Sequence, residues 1–458
     1  MLEKKPVFYN TMYSPVVNDV KVKKILRHED RYPECQNLLK EIDCNDKTLV
    51  FFPTVVGIYN YVNNFLINEP CIEELDAVTK NFLLWAREEI HEDWCVIKAM
   101  ERGYLIHNGQ IPMGTRMFQL DNYEKEGVFN RLLCTSTLLE GVNTTAKNII
   151  ITKPSRMSER NNNDADFSAF DFFNLVGRTG RLNQHYVGNA YYLKAPSDPD
   201  YNKIDAIRSV KFEITDESKD VDIQKGNVEH YEDVMNFLEE LGITIEEYQK
   251  NIGSRPRFET VKEIYGRYKT NCSKLISELQ KFIDNPQNGR LHLVSELYQI
   301  IESRPNPMNS NIINKLLNMN RLKIKTVVDE VRKYYTTANI DTIISTTIRM
   351  KSSYIEHIFY PKVLLIIYFM KLSKIDKNLV DILNKKIIEP IDFLYFASSK
   401  QRKMLVDLGI YERDVETIVK VIGDDYEDAF ELKRRLQDSW DKMKNISFIS
   451  KYVIQNLI

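Results

Sequence analysis

The 458-residue chain has no cysteines or histidines at the spacing of a metal site. Its seven histidines are scattered, and none of its six cysteines forms a Cys-x-x-Cys pair: Cys35, Cys44, Cys71, Cys95, Cys134 and Cys272. Structural zinc sites use closely spaced Cys and His ligands. The pattern therefore predicts no metal site, and we expect reduced thiols, most of them buried.

The sequence also lacks a long apolar run. It begins Met-Leu-Glu-Lys-Lys-Pro, without the apolar core of a signal peptide. The longest uninterrupted apolar stretch is Val363–Met370, far shorter than the roughly 20 residues that a membrane helix needs. We expect a cytoplasmic protein with no membrane partner.

The chain has little net charge, because 63 basic residues nearly balance 65 acidic ones and leave a formal charge of -2. This balance excludes a globally basic nucleic-acid-binding protein. Any contact with nucleic acid must therefore come from a local patch. With 43% hydrophobic residues, the chain is long enough to form the cores of two or three domains.

One half of a nucleotide-hydrolysis site is absent from the sequence. No Gly-x-x-x-x-Gly-Lys-Ser/Thr occurs, there is no Gly-Lys pair at all, and no Asp-Glu-x-His/Asp follows a strand pattern. Such motifs supply the phosphate-binding loop, the magnesium ligand and the carboxylate that activates water. The sequence therefore contains none of these three parts.

What the sequence does contain is an arginine-glycine segment, Phe173–Arg181, reading Phe-Asn-Leu-Val-Gly-Arg-Thr-Gly-Arg. Arg178 and Arg181 each follow a glycine, so two guanidinium groups can approach one anion without crowding by a Cβ atom between them. An oligophosphate is the natural target, because arginine stabilises the charge of a phosphoryl group during its transfer. Taken alone, the same pattern also fits a helix edge with two solvated arginines.

A second segment, Leu132–Ile151, predicts a strand, a functional loop and another strand. The first apolar run ends in three hydroxyl side chains, and a new apolar run begins at Asn148. Between them lies a sequence that favours a turn. The loop residues are Thr135, Ser136, Thr137, Gly141, Val142 and Asn143.

In this order and spacing, the two segments resemble motifs V and VI of superfamily 2 helicases. The Gly-Val-Asn ending is more like the superkiller-type DExH branch than the DEAD-box branch. Thr48–Thr54 resembles motif IV, and Gly103–Pro112 with Arg116 beyond it resembles the stretch between motifs IV and V. The resemblance covers Thr48–Leu193 and implies a RecA-like domain.

The resemblance implies that one group of residues lies near a nucleotide. Arg178 and Arg181 match the motif VI arginines, which reach the nucleotide phosphates as arginine fingers. Asn174 stands where the family usually has glutamine, a longer side chain with the same amide chemistry. The implied nucleotide-binding residues are Gly141, Asn143, Asn174 and Gly177, and the implied cofactor is ATP with Mg²⁺.

A second group is implied to contact the phosphates of a nucleic acid: Pro53, Thr54, Arg116, Thr135, Ser136 and Thr137. Two simpler explanations stay open, since strand propensity favours threonine and Arg116 is equally suited to a surface ion pair. His107 stands where the branch often has two histidines, with Ile106 in place of the first. We do not expect His107 to be catalytic.

The pattern of the first 200 residues predicts a parallel sheet covered by helices. Strands are predicted at Thr48–Phe52, Tyr104–Ile106, Leu132–Thr135, Asn148–Thr152 and Val187–Leu193. Helices are predicted at Val55–Ile67, Glu73–Glu89, Arg116–Glu126 and Phe167–Leu175. Beyond His230 we expect a compact helical domain, with helices at Asp233–Leu241, Phe258–Phe282, Leu291–Ser303, Ser310–Tyr335 and Tyr354–Leu372.

The expected fold class is thus α/β followed by all-α. The expected divisions are a lead-in at 1–45, a RecA-like domain with helices on both faces of its sheet at 46–200, a linker at 201–229 and a helical domain at 230–458. Asn161–Asp166 is predicted to be a polar loop before the motif VI helix.

These observations favour the C-terminal part of an ATP-dependent helicase or translocase that acts on single-stranded or duplex DNA or RNA. The missing motifs would come from an N-terminal RecA-like domain, in the same longer chain or in a separate subunit. We expect the isolated chain to be inactive. The alternative is a non-catalytic subunit that binds nucleic acid or protein through a retained helicase fold, although such a subunit has no physical need for both arginines.

Overall fold

The computed structural model describes residues 17–139, 144–157, 164–180, 187–201, 228–253, 256–318, 323–395 and 399–457. Within them the chain forms two compact units. The first unit comprises 17–87, 92–201 and 447–456, and the second comprises 88–91, 228–446 and 457. No helix of the described ranges is both long enough and apolar enough to cross a bilayer.

The first unit is built on six parallel strands, with a separate two-stranded hairpin. The strands are β1 (Val17–Lys24), β2 (Thr48–Phe51), β3 (Tyr104–His107), β4 (Arg131–Cys134), β5 (Asn148–Ile151), β6 (Ser155–Met157), β7 (Asp164–Asp166) and β8 (Val187–Lys194). The order across the sheet is β1-β8-β5-β2-β4-β3, and β6 pairs with β7 antiparallel. The chain moves from β2 to β3 in one direction and from β4 to β8 in the other, and the right-handed crossover rule then requires helices on both faces of the sheet.

The five predicted strands are confirmed, each within two residues of its predicted bounds. Every residue of β2, β3 and β5 is buried, as the uninterrupted apolar runs require of strands covered on both faces. β1 was not predicted, because its sequence is mostly polar and its side chains are largely exposed. Asp164–Asp166, the end of the predicted polar loop, instead forms β7; residues 158–163 lie outside the described ranges.

Six helices connect the strands of the first unit: α1 (Arg31–Glu41), α2 (Val55–Asn64), α3 (Ala77–Glu89), α4 (Cys95–Met100), α5 (Met113–Glu124) and α6 (Ala169–Val176). The sequence prediction began α3 four residues too early and α5 three residues too late. It missed α4, which is too short to show a helical period, and α1, which buries few apolar side chains. Half of the thiols are buried, namely Cys35, Cys95 and Cys134.

A buried ion pair joins the start of α1 to the segment that follows β8. The guanidinium of Arg31, at the start of α1, lies 2.7 Å from the Asp198 carboxylate, and their side chains are 7% and 3% exposed. The same guanidinium donates to the carbonyl oxygens of Thr152 and Leu193, at the carboxyl ends of β5 and β8. Asp198 in turn accepts from the Ala195 amide at 2.8 Å. Arg31, from the stretch predicted as a lead-in, and Asp198, from the end of the predicted RecA-like domain, thus close one edge of the sheet.

The second unit is helical, and the predicted fold class is confirmed. Its helices are α7 (Val228–Leu241), α8 (Ile245–Asn251), α9 (Phe258–Asp284), α10 (Pro286–Ile301), α11 (Pro307–Asn318), α12 (Ile324–Arg332), α13 (Ile340–Arg349), α14 (Tyr360–Leu372), α15 (Lys377–Leu383), α16 (Glu389–Tyr395), α17 (Lys400–Asp407), α18 (Val415–Ile422) and α19 (Ala429–Asp438). Two π-helical stretches, Met350–Phe359 and Asn384–Ile388, lie within this array.

Two predicted helices differ from the structure. The single helix predicted at Ser310–Tyr335 is divided into α11 and α12, because Lys323 has an extended backbone with ψ of 139° that a continuous helix does not allow. The helix predicted from Tyr354 begins as a π-helical stretch and becomes α-helical only at Tyr360.

The last helix, α20 (Phe448–Leu457), belongs almost entirely to the first unit. Its aromatic side chains Phe448 and Tyr452 pack on Phe82 of α3 and Phe118 of α5. The sequence prediction had placed this stretch in the helical domain at 230–458. The predicted linker at 201–229 lies mostly outside the described ranges.

We predict that Arg31→Met lowers the free energy of unfolding by about 3–5 kcal/mol, because it leaves the Asp198 carboxylate buried without its cation. Combining it with Asp198→Asn should recover part of the loss, since no charge then remains uncompensated. Urea unfolding of the two single variants and the double variant measures the coupling.

The matched control is Lys21→Ala, which removes an exposed pair with Asp19 at 3.5 Å and should change stability by less than about 1 kcal/mol. If Arg31→Met were no more destabilising than Lys21→Ala, the ion pair would not hold the sheet edge together.

Candidate functional site

Three loops lie side by side at one edge of the sheet, where β2, β4 and β3 end. Parallel pairing puts the carboxyl ends of neighbouring strands at the same edge. The Phe52 amide after β2 donates to the Cys134 carbonyl of β4 at 2.8 Å, and the Thr135 amide donates to the His107 carbonyl of β3 at 3.3 Å. We call this region, formed by residues 52–54, 107–116 and 135–137, the carboxyl edge. It brings together all six residues predicted to contact nucleic acid.

Thr54 starts α2 at the carboxyl edge. Its backbone is extended, and its Oγ1 accepts a hydrogen bond from the Gly57 amide at 3.0 Å, so it is the N-cap of the helix. A hydroxyl that accepts in this way can still donate its own hydrogen. Pro53 and Thr54 are both half-buried. The helix start therefore offers a hydroxyl donor and a positive dipole end next to β4.

The hydroxyl loop after β4 packs against the loop after β3. Thr135 is buried, with its Oγ1 3.4 Å from Oγ1 of Thr137, while Ser136 and Thr137 are half-buried. A Cβ on Gly109 would lie 3.0 Å from Cγ2 of Thr137, so any larger residue there would push the two loops slightly apart. The close approach holds the hydroxyl groups beside the turn at Asn108–Gly109.

Three buried donor groups lie on the segment from the end of β3 into α5. The Asn108 side chain uses Oδ1 to accept from the Gln110 and Ile111 amides at 2.9 and 3.3 Å. Its Nδ2, Oγ1 of Thr115 and Nε of Arg116 are buried and have no hydrogen-bond partner among the described residues. A buried donor without an acceptor costs about 1–3 kcal/mol. Each such group in a folded chain calls for an explanation, such as an ordered water or a bound ligand.

Arg116 makes this part of the edge electropositive. Burial lowers the pKa of its guanidinium, which nevertheless stays charged at neutral pH. Among the described residues, no carboxylate lies within ion-pair distance of Arg116. Burial and the nearby Arg116 charge lower the pKa of His107 to about 4, so the imidazole is neutral at pH 7. The positive charge of this cluster thus resides on Arg116.

The arginine-glycine turn lies at the opposite edge of the sheet, where β5 and β8 begin. Oγ1 of Thr144 donates to the Arg178 carbonyl at 3.3 Å, and the Gly180 amide donates to the Ala146 carbonyl at 3.0 Å. A Cβ on Gly188, at the start of β8, would lie 2.5 Å from Oγ1 of Thr179, so the turn is pressed against that strand. Arg178 is half-buried in this turn.

The remaining residues predicted to bind nucleotide are only partly described. Asn174 and Gly177 are exposed on α6 and in the turn after it, on the same side of the molecule as Arg178. Arg181, Gly141 and Asn143 lie outside the described residues. Among the described residues, the group predicted to contact nucleic acid therefore lies at one edge of the sheet, and the Arg178 turn lies at the other.

Sequence reasoning missed Asn108 and Thr115. Both stand inside the stretch between motifs IV and V, and an Asn-Gly pair is a familiar turn signal. What singles them out is that both are fully buried and that Nδ2 of Asn108 and Oγ1 of Thr115 have no partner among the described residues, and these properties depend on the fold rather than on the residue type.

No protein-family profile matches the chain. The chain is similar to Anti-bacteriophage protein B of Escherichia coli (strain K12), with 30% identity over 200 residues. The aligned stretch covers 43% of this chain but only 25% of that protein. The chain thus matches about a quarter of the relative's length.

We predict that His107 makes stability depend on pH. Its pKa is lower in the folded chain than the ordinary value of 6.5, so its full contribution is present above pH 6.5 and is lost as the pH falls toward 4. The loss should amount to about 3 kcal/mol for this side chain. Unfolding free energies measured from pH 7 to pH 4 should fall more steeply for the wild type than for His107→Gln.

The control is His292→Gln, at an exposed position of α10, which should keep the wild-type slope. Equal slopes for the wild type and His107→Gln would show that His107 is not buried in its neutral form.

Proposed function

We propose that this chain is the second motor domain, with a helical extension, of an ATP-dependent nucleic-acid helicase or translocase. The carboxyl edge binds the phosphate backbone of DNA or RNA, and Arg178 and Arg181 complete an ATP site with a partner domain. The observation that carries the proposal is the cluster at the carboxyl edge. It combines three hydroxyl-bearing loop residues with three buried, unsatisfied donors on the segment that carries Arg116.

The chemistry of this cluster suits a phosphate better than a base edge. Its groups are hydroxyls, a carboxamide, a helix start and one guanidinium, all of which donate to anionic oxygens. Such contacts position a nucleic-acid strand without reading its sequence. A single positive charge also agrees with the near-neutral chain, since binding then depends on a local patch rather than on a bulk field.

The two groups of predicted site residues have different proposed roles, one at each edge of the sheet. Nucleic acid binds at the carboxyl edge, and the nucleotide binds next to the Arg178 turn at the other edge. In the sequence, motif V joins them, because Thr135 follows β4 at one edge and Thr144 donates to the Arg178 carbonyl at the other. A shift of the turn on ATP binding or hydrolysis therefore reaches the hydroxyl loop along motif V.

The other half of the ATP site comes from an N-terminal RecA-like domain, in the same longer chain or in a separate subunit. That domain would supply the phosphate loop, the magnesium ligand and the carboxylate that activates water. The partial match to a much longer relative agrees with a motor of more than one part. The name of that relative further supports a place for this motor in defence against bacteriophage.

We predict that the chain binds a fluorescent single-stranded oligothymidylate and that Arg116→Gln weakens this binding about tenfold, the effect of losing one charge-assisted hydrogen bond. The slope of log K against log salt concentration should fall by about 0.7, as for one lost phosphate contact on a single strand. Fluorescence anisotropy over a salt series measures both quantities.

The control for this binding is Lys40→Gln, which removes one positive charge from an exposed position of α1, near the start of β4. It should leave the affinity unchanged. If the two variants weakened binding equally, the effect of Arg116→Gln would be explained by the loss of net charge alone. A wild-type chain that does not bind the oligonucleotide would refute the nucleic-acid assignment.

We also predict that the isolated chain hydrolyses ATP negligibly. In the motor that contains the partner half, Arg178→Ala and Arg181→Ala should each lower kcat by about three decades with little change in nucleotide affinity, as for arginine fingers. Steady-state hydrolysis and nucleotide binding separate the two effects.

Arg156→Ala, which removes an exposed arginine of β6, is the control for ATP hydrolysis and should be as active as the wild type. Vigorous, nucleic-acid-stimulated hydrolysis by the isolated chain would contradict the two-part motor. Unchanged hydrolysis in both arginine variants would favour the non-catalytic binding subunit.

A further inference from the structure

The helix that carries Thr115 and Arg116 is held from two sides. On the sheet side, Oε1 of the buried Gln119 accepts from the Ile106 amide at 3.0 Å, and Nε2 of Gln119 lies 3.0 Å from the Met100 sulfur. This contact fixes the middle of α5 to the backbone of β3. The tilt of α5 about that point then depends on the residues that pack on its other side.

The other side is packed by the end of the chain. Phe118, two residues after Arg116, is fully buried and stacks on Phe82 with ring centroids 4.3 Å apart. Tyr452 of α20 meets Phe118 edge-on at 4.9 Å, and Phe448 closes the cluster at 5.9 Å from Phe118. Aromatic contacts of this geometry add to the energy of area burial and prefer defined ring orientations.

A hydrogen bond fixes the position of α20 along α5. The Tyr452 hydroxyl donates to Oδ2 of Asp121 at 2.8 Å, one turn beyond Phe118 on the same face of the helix. Burial and the Asp121 carboxylate raise the pKa of Tyr452, so the phenol keeps its proton at physiological pH. The ring contacts and the hydrogen bond together fix the register of α20 along α5.

We infer that Tyr452 and Phe448 are positioning residues for the carboxyl edge: through Phe118 and Asp121 they set the placement of α5, and thereby the affinity of Thr115 and Arg116 for a nucleic-acid phosphate. The inference rests on the proposed function. It gives α20 an indirect role in nucleic-acid binding. In this inference α20 positions α5 and does not itself contact the ligand. The affected ligand class is single-stranded nucleic acid, bound through its backbone.

The experiment is a double-mutant cycle on the full chain, with oligothymidylate binding as the readout. Tyr452→Ala should weaken binding about tenfold and lower the salt slope by about 0.7, as Arg116→Gln does, because the guanidinium loses its placement. In the Arg116→Gln background, Tyr452→Ala should cause no further loss, since both changes remove the same contact. Tyr452→Phe keeps the ring and should retain most of the affinity.

Two further variants separate positioning from loss of fold. Tyr452→Leu and Phe448→Leu keep apolar bulk at their positions, so each tests the inference if Tyr452→Ala does not fold. Gln455→Ala, at an exposed position of α20, should bind like the wild type. Amide hydrogen exchange should be faster in Met113–Glu124 of the folded Tyr452 variants than in the same segment of Gln455→Ala.

The outcomes are distinguishable. Non-additive losses together with faster exchange in α5 would support the inference. A wild-type chain that binds while folded Tyr452→Ala or Tyr452→Leu binds equally well, or additive losses in the cycle, would overturn the inference alone. A wild-type chain that does not bind would overturn the proposed function and this inference with it.

Discussion

Parallel pairing of six strands is the constraint from which the rest of the sheet unit follows. Parallel neighbours cannot be joined by a tight turn, so every connection leaves one edge of the sheet and returns to the other. Polar residues that follow β2, β3 and β4 therefore meet at the carboxyl edge, although they lie far apart in sequence. Residues that precede β5 and β8 meet at the opposite edge, where these strands begin. The arginine-glycine turn is among them.

The residues that follow the strands make interactions, or lack them, in ways that a strand pattern does not predict. At the ends of β5 and β8, the Arg31 guanidinium binds two strand carbonyls and the Asp198 carboxylate. At the ends of β2, β4 and β3, the buried donors of Asn108, Thr115 and Arg116 have no acceptor in the part of the chain that the structure describes. The contrast between a satisfied and an unsatisfied stretch of the same edge agrees with the proposal that ligand binds at the second. His28 and Ser197, 3.1 Å apart near Arg31, belong to the satisfied stretch.

The sequence was sufficient for features that depend on local pattern. Uninterrupted apolar runs bounded by turn signals located β2 to β5 and β8, and strand ends located Thr54 and Thr135. Tertiary features were not accessible in this way. Asn108 and Thr115 are ordinary residues until their burial and lack of partners are known, and β1 is too polar to be identified as a strand. No helix was predicted at Phe448–Leu457, and a helical pattern there could not show which unit the helix packs against.

The return of α20 to the sheet unit also has a consequence for protein synthesis. A ribosome makes the described strands of the sheet before it spends about 10 to 50 s on residues 202–446 at 5–20 residues per second. Until α20 emerges, the faces of α3 and α5 around Phe82 and Phe118 lack the aromatic cover that this helix provides. The nascent chain thus exposes an apolar surface throughout that interval, and such a surface is one that chaperones near the ribosome exit bind.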